Sequence, residues 1–267
     1  MFKLADSPTP TEMGVLFPIT SQTSMNDKLC LLGGMRLARR SGGYSFLEIG
    51  SFRGGSLTPF LMDPQCTSVV SIDDRGRIQP DERGVSYDYT QFTTQTMLDE
   101  LHRCNLDTGK LRTFDGSIHH AKDLDSSSFD LAFIDGEHTD EACFRDFLWT
   151  LPLVKQNSIV LFHDSTLVYK AIRLTMLYLD KEGREYVFYK RHDSEMSALL
   201  LGESRRGDYV RELGPQADAS QFFAEAEALR IKTQFRNRAR FRFDPRRLLK
   251  LRVPISVDIE QPKNGQP

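Results

Sequence analysis

Five short apolar runs punctuate the chain between residues 44 and 164, and each ends in glycine or an acid: "YSFLEIG", "SVVSID", "KLRTFD", "FDLAFID" and "SIVLFHD". Between them lie segments of helical spacing near residues 54–63, 91–104, 117–124 and 138–151. Strands this apolar are buried on both faces, and helices set between consecutive strands make the connections parallel crossovers. The alternation predicts a doubly wound, Rossmann-like α/β sheet. Beyond the fifth run, "TLVYKAIRLTMLYLDKEG" reads as an amphipathic helix closed by Gly183. "REYVFYK" and "MSALLLG", joined by the short polar "RHDSE", suit an antiparallel hairpin at the sheet edge. The expectation is a seven-stranded, mostly parallel sheet with helices on both faces and an antiparallel edge hairpin.

The flanks differ in composition. Residues 1–24 are rich in Pro, Ser and Thr and read as a flexible N-terminal segment, after which Leu29, Leu32 and Met35 are spaced for a first helix over about Asp27 to Arg39. The globular domain is assigned to residues 25–203. Residues 204–267 form a helical basic extension, in which "SQFFAEAEALRIKTQFRNRARF" carries the helix and "QPKNGQP" a frayed end. From Arg230 to Arg252 ten Lys/Arg stand against the single acid Asp244. The rest of the chain keeps 35 − 10 bases and 37 − 1 acids, so a body of net −11 carries a stretch of net +9. Such a stretch docks on the acidic body or holds an anionic partner, whether a membrane surface, a nucleic acid or a phosphorylated substrate. Phe235, Phe241, Phe243, Leu248, Leu249 and Leu251 interleave with its charges, as in an amphipathic element lying on anionic lipid or on the protein's own surface.

Of the 267 residues 39% are apolar, and the absence of any run of about 18 apolar residues argues against a transmembrane helix. Met1 to Asp6 bring an acid, and prolines follow, before a secretory apolar region can form. A cytoplasmic protein is expected, with peripheral membrane placement left open by the basic stretch. Cys30, Cys66, Cys104 and Cys143 form no close pair and read as small apolar residues.

In open α/β sheets ligands bind at the carboxyl ends of the strands. After the first run comes "FLEIGSFRGGS", where Gly50, Gly54 and Gly55 allow a sharp turn and a close backbone approach. The dinucleotide fingerprint is absent because Phe52 stands at its second glycine position, and the loop alone could be only a tight strand–helix turn. The second run ends in Asp73 and Asp74, about 23 residues past Gly50, where an acid either hydrogen-bonds a ribose or caps a helix.

"FLEIGSFRGGS", "SVVSIDD", "TFDGSIHHAKDL", "FDLAFIDGEHTDEACFRDFLWTLPLV" and "SIVLFHDS", in this order over about residues 44–165, resemble the class I S-adenosylmethionine-dependent methyltransferases. The nearest likeness is to the branch of macrocin-type sugar O-methyltransferases and cephalosporin hydroxylase-like proteins. The resemblance implies that Glu48, Gly50, Ser51 and Gly54 surround the methionine moiety and that Asp73, with Asp74, holds the ribose. It also implies that Asp115, Gly116 and Ser117 border the adenine, although these three also read as an ordinary turn, and that Asp135 borders the cofactor.

Asp135 and Asp164 end adjacent runs and can converge, and two carboxylates with waters and substrate oxygens suit Mg²⁺. In the resembling sugar methyltransferases the position before the second acid is often acidic. Here it is His163, a metal-ligand candidate that leaves room for Mn²⁺. His138 follows Asp135 by three residues at a predicted helix start, where the resemblance implies a general base; its alternative is a helix-capping or surface histidine. His119 and His120, being adjacent, point to different helix faces. The polar segment 75–92 with Tyr87 and Tyr89 is a candidate lid or a disordered insertion, and Trp149 with Phe144, Phe147 and Leu148 reads as helix packing.

The expected function is a metal-assisted O-methyltransferase acting on a hydroxyl of a sugar, glycolipid or natural product, with a homo-oligomer left open. The rivals are a relative that keeps the nucleotide pocket for other chemistry, and a non-catalytic protein that grips an anionic surface with its basic stretch.

Overall fold

The computed structural model describes residues 8–243 and 256–257. Seven strands form the main sheet: β1 Tyr44–Ile49, β2 Cys66–Asp73, β5 Leu111–Asp115, β6 Phe129–Ile134, β7 Val154–Phe162, β8 Tyr186–Lys190 and β9 Ser197–Leu201. Their order is β5-β2-β1-β6-β7-β9-β8. The first five are parallel, and β9 runs antiparallel to both β7 and β8. This is the expected fold class, with the hairpin at the edge. The chain winds outward from β1 through β2 to β5 and then returns to place β6 on the other side of β1. That reversal opens a crevice beyond the carboxyl ends of β1 and β6.

Every residue of β1 and β6 is buried. Their side chains alternate between two cores: Phe46, Leu131 and Phe133 on one face, Leu47, Ile49, Ala132 and Ile134 on the other. The first face is covered by α2 Met25–Ala38, α3 Thr58–Met62 and α4 Thr94–Arg103, and Phe60 of α3 stacks on Phe46 at 3.6 Å between ring centroids. The second is covered by α5 Asp140–Thr150 and α6 Tyr169–Lys181. Ser24 starts α2 with a capping box, its hydroxyl accepting the Asp27 N–H while the Asp27 carboxylate accepts the Ser24 N–H. Gly33 of that helix lets α7, Gly207–Glu212, approach, because a Cβ there would overlap the Glu212 carbonyl oxygen.

Several expectations are corrected. Residues 8–24 are not a flexible lead-in: Thr9 caps α1, Pro10–Leu16, and Met13, Leu16, Phe17 and Ile19 enter the main core. The Pro and Thr that suggest looseness are the helix start itself, with Pro at its first turn. The helix expected over 117–124 is a single 3₁₀ turn, Ile118–His120, since the Asp and Ser that follow favour turns. Trp149 is not helix packing: it is 50% exposed, about 200° around α5 from the fully buried Phe147. Segment 75–92 is ordered as β3 Ile78–Pro80 antiparallel to β4 Ser86–Asp88, with β10 Ser256–Val257 alongside β4. Cys30, Cys66 and Cys143 are buried free thiols, as expected.

The C-terminal helix α8 spans Ala219–Phe243 and packs Phe222 and Ala226 against Tyr169. The bases at 246–252 and the "QPKNGQP" end lie outside the described residues. Among the described residues no helix is long and apolar enough to cross a membrane.

Because Met13 is 2% exposed, Met13→Ala is expected to destabilise the fold by about 2–5 kcal/mol in urea unfolding. A flexible segment would give no change.

Candidate active site

At the end of β1 the chain reverses on Gly50, whose φ is +89° and whose N–H donates to the Ile72 carbonyl at 2.8 Å. A Cβ at this position would overlap the Asp135 carbonyl oxygen, so only glycine lets the β1 and β6 loops close on each other. Phe52, where the fingerprint has glycine, also takes a positive φ of 46°. Its ring packs on Phe92 at 4.5 Å and Tyr89 at 5.4 Å, and its N–H donates to Asp73 Oδ2 at 2.6 Å.

Glu48 lies behind this loop and is fully buried. Ser56 donates to its Oε1, and Oε2 has no hydrogen-bond partner. Burial, reinforced by the nearby Asp135 and Asp73 charges, pushes its carboxyl well above the usual range despite the Ser56 bond. Asp73 is 7% exposed. Burial raises its pKa also, opposed by Arg75, whose guanidinium lies 3.5 Å away, and by the Phe52 N–H.

A pocket joins these groups, lined by Gly50, Ser51, Phe52, Asp73, Arg75, Tyr89, Phe92, Asp135 and His138, and by Thr20–Thr23 from the segment between α1 and α2. Asp74 turns away to pair with Arg77 at 2.8 Å. Asp115 is exposed and bonded by Thr94, Gly116 donates its N–H to the Asp73 carbonyl at 2.9 Å, and Ser117 bonds His119 at 2.6 Å. None of those three lines the pocket, and neither does Gly54, which packs inward on Met97. Thr20–Thr23, Phe52 and Arg75 are site residues that sequence reasoning missed. Phe52 carried a signal, as the bulky residue at a glycine position; Thr20–Thr23 carried none.

On the other side of the pocket Asp135, His138 and Asp164 converge, with one potential ligand atom of each within 4.8 Å of the others. His138 Nε2 is 3.1 Å from Asp164 Oδ2 and 3.8 Å from Asp135 Oδ1. Asp164 has φ +47°, a strained backbone that turns its carboxylate back toward the β6 loop. The position of His163 departs from expectation. It is 7% exposed, with Nδ1 2.9 Å from Asp135 Oδ1 and Nε2 3.3 Å from Asp27 Oδ2. Burial alone would lower its pKa, but Asp135, Asp27 and Asp164 outweigh burial and hold the ring protonated, well above its ordinary value. With both nitrogens turned to carboxylates, His163 braces Asp135 from behind and offers no lone pair to a metal. Asp27, although buried, is held far below the usual range by bonds from His163, Ser194 and Ser24.

Residues 47–165 match the family model described as a methyltransferase domain, a span that takes in every site residue expected from the sequence. An uncharacterized protein of Acanthamoeba polyphaga mimivirus is 25% identical over 120 residues, 45% of this chain and 51% of that protein. The chain thus spans about half the length of the curated relative it matches. Among solved structures, a structural-genomics target from Corynebacterium glutamicum superposes with a TM-score of 0.50 at 13% identity, over 72% of this chain and 87% of that one. The O-methyltransferase TomG of Streptomyces achromogenes, involved in tomaymycin synthesis and solved with SAM, superposes at 0.46 with 16% identity, over 71% and 86%. The fold is a Rossmann-like α/β fold, and residues 47–165 are similar to a methyltransferase domain.

His163→Gln leaves Asp27 and Asp135 without their shared cation, a loss of about 3 kcal/mol at pH 6. A raised folded pKa contributes stability that is complete below the unfolded value near 6.5 and is lost as pH rises through the folded value. Urea unfolding of metal-free protein at pH 6 and pH 9 is therefore expected to show the wild-type advantage shrink at the higher pH.

Proposed function

We propose that the chain is an S-adenosylmethionine-dependent O-methyltransferase of the macrocin-type branch, acting on one of two neighbouring hydroxyls of a sugar, glycolipid or natural product. The observation that carries this reading is the pocket in which the Gly50 loop and Asp73 adjoin Asp135 and His138. The cofactor fits the residues present. The orphaned Oε2 of Glu48 is a buried acceptor suited to an ammonium group, Gly50 leaves backbone open to close approach, and Asp73 is placed for ribose hydroxyls.

A divalent cation also fits, since Asp135 and Asp164 present two carboxylates with His138 beside them. When bound, such an ion lowers the pKa of a chelated hydroxyl. His138, whose Nε2 faces both carboxylates, would take the hydroxyl proton on the ring nitrogen that carries no hydrogen. When bound, S-adenosylmethionine would supply the methyl group on its sulfonium and leave as S-adenosylhomocysteine. Asp135, braced by His163, holds the acceptor oxygen in line, and alignment supplies much of the rate. Tyr87, whose ring lies 6.3 Å from that of His138, and Tyr89 give the acceptor an apolar wall to stack on.

Calorimetric titration is expected to show binding of S-adenosylhomocysteine and none of NAD⁺. Gly50→Ala should abolish that binding, because its Cβ forces the two loops apart. Binding of NAD⁺ alone, or of neither ligand, refutes the reading.

A further inference from the structure

The C-terminal helix has no place in the mechanism above, yet one of its side chains reaches the loops that carry the site. Arg230 is 7% exposed. Its Nη1 donates to Glu82 Oε2 and to Asp140 Oδ2, both at 2.9 Å, and its Nη2 donates to the Leu167 carbonyl. These three acceptors belong to separate segments. Glu82 is in the turn between β3 and β4, Asp140 opens α5 two residues after His138, and Leu167 follows Asp164 by three residues.

The bonds continue inward from there. Glu82 donates its N–H to the His138 carbonyl at 3.1 Å, and Asp140 donates its N–H to Glu82 Oε1 at 2.8 Å. Asp140 Oδ1 accepts the Ala171 N–H at 3.1 Å, and the Tyr169 ring lies 5.1 Å from the guanidinium. One guanidinium thus joins the turn above the pocket, the segment bearing Asp135 and His138, and the segment bearing Asp164. A planar guanidinium meets the two carboxylates through one nitrogen and the carbonyl through another, a fixed spacing that the single nitrogen of an ammonium does not reproduce.

We infer that Arg230 is a positioning residue: by fastening these three segments to α8 it sets the spacing of Asp135 and His138 from Asp164, and with it the affinity of that triangle for a divalent cation. This rests on the proposed role of Asp135 and Asp164 as cation ligands. Nothing within 64 residues of Arg230 in sequence lies in the site's motifs, so its part in the site is made only by folding.

The test is Mn²⁺ titration of the full chain, read by the electron paramagnetic resonance of free Mn²⁺, alongside calorimetry with S-adenosylhomocysteine. Arg230→Ala is expected to weaken Mn²⁺ binding on the order of tenfold or more, with S-adenosylhomocysteine affinity unchanged within about twofold. Arg230→Lys recovers only part of the loss. Glu82→Gln breaks the same clamp from the other side without touching α8, and should move Mn²⁺ affinity in the same direction; it decides the matter if Arg230→Ala does not fold. Wild-type Mn²⁺ affinity in folded Arg230→Ala or in Glu82→Gln overturns the inference, as does parallel loss of both ligands, which marks a general structural role. Wild-type protein that binds S-adenosylhomocysteine but no Mn²⁺ refutes the cation reading itself, and the inference falls with it.

Discussion

Crowding of negative charge at one edge of the sheet governs this structure. Glu48, Asp73, Asp135 and Asp164 all lie at or near the carboxyl ends of parallel strands, and Asp27 stands just behind them. Burial makes each unscreened carboxylate costly, which is why Glu48 and Asp73 are driven toward the neutral form. Three buried cations hold the arrangement together, and each comes from a different element. Arg75 bridges toward Asp73 and Asp115 from the segment after β2, His163 links Asp27 to Asp135 from the end of β7, and Arg230 joins Glu82 to Asp140 from α8.

The balance is uneven along the pocket. Asp135 is covered from behind by His163, whereas its front, with Asp164, faces His138. Glu48 keeps one oxygen without any partner. These two places lie on either side of Gly50: the carboxylates of Asp135 and Asp164 are where the proposed divalent cation would be drawn, and Glu48 offers an unpartnered oxygen to the proposed cofactor. Gly50 keeps the two places adjacent, since any side chain there would part the β1 loop from the β6 loop.

Much of this was legible from local pattern. The seven strands, the edge hairpin and the helices α2, α4, α5 and α6 follow from periodicity and flanking turns, because buried parallel strands need unbroken apolar runs. Gly50, Ser51, Asp73, Asp135 and His138 line the pocket because strand ends in this topology point into one crevice. Residues 8–24 misled because Pro and Thr serve loops and helix starts alike, and what distinguishes them is whether Met13 and Leu16 find a core to enter. His163 misled for a related reason: a histidine next to an acid reads as a ligand until a second carboxylate, Asp27, is found 136 positions away on its far nitrogen.

The sequence by itself determined the strands of the main sheet, the helices between them from α4 to α6 other than the 3₁₀ turn, and the acids and glycine at the strand ends, since these depend on spacing of a few residues and on the chemistry of each side chain. Tertiary structure alone decided which of those acids became neighbours, which were neutralised, and by what. Arg230 and Glu82 are 148 residues apart, and Thr20–Thr23 reach the pocket from a segment with no motif. Long-range electrostatic pairing of this kind leaves no periodicity in a chain, because its energy depends on distance in space and on burial, and both come into being only when the sheet and its helices have packed.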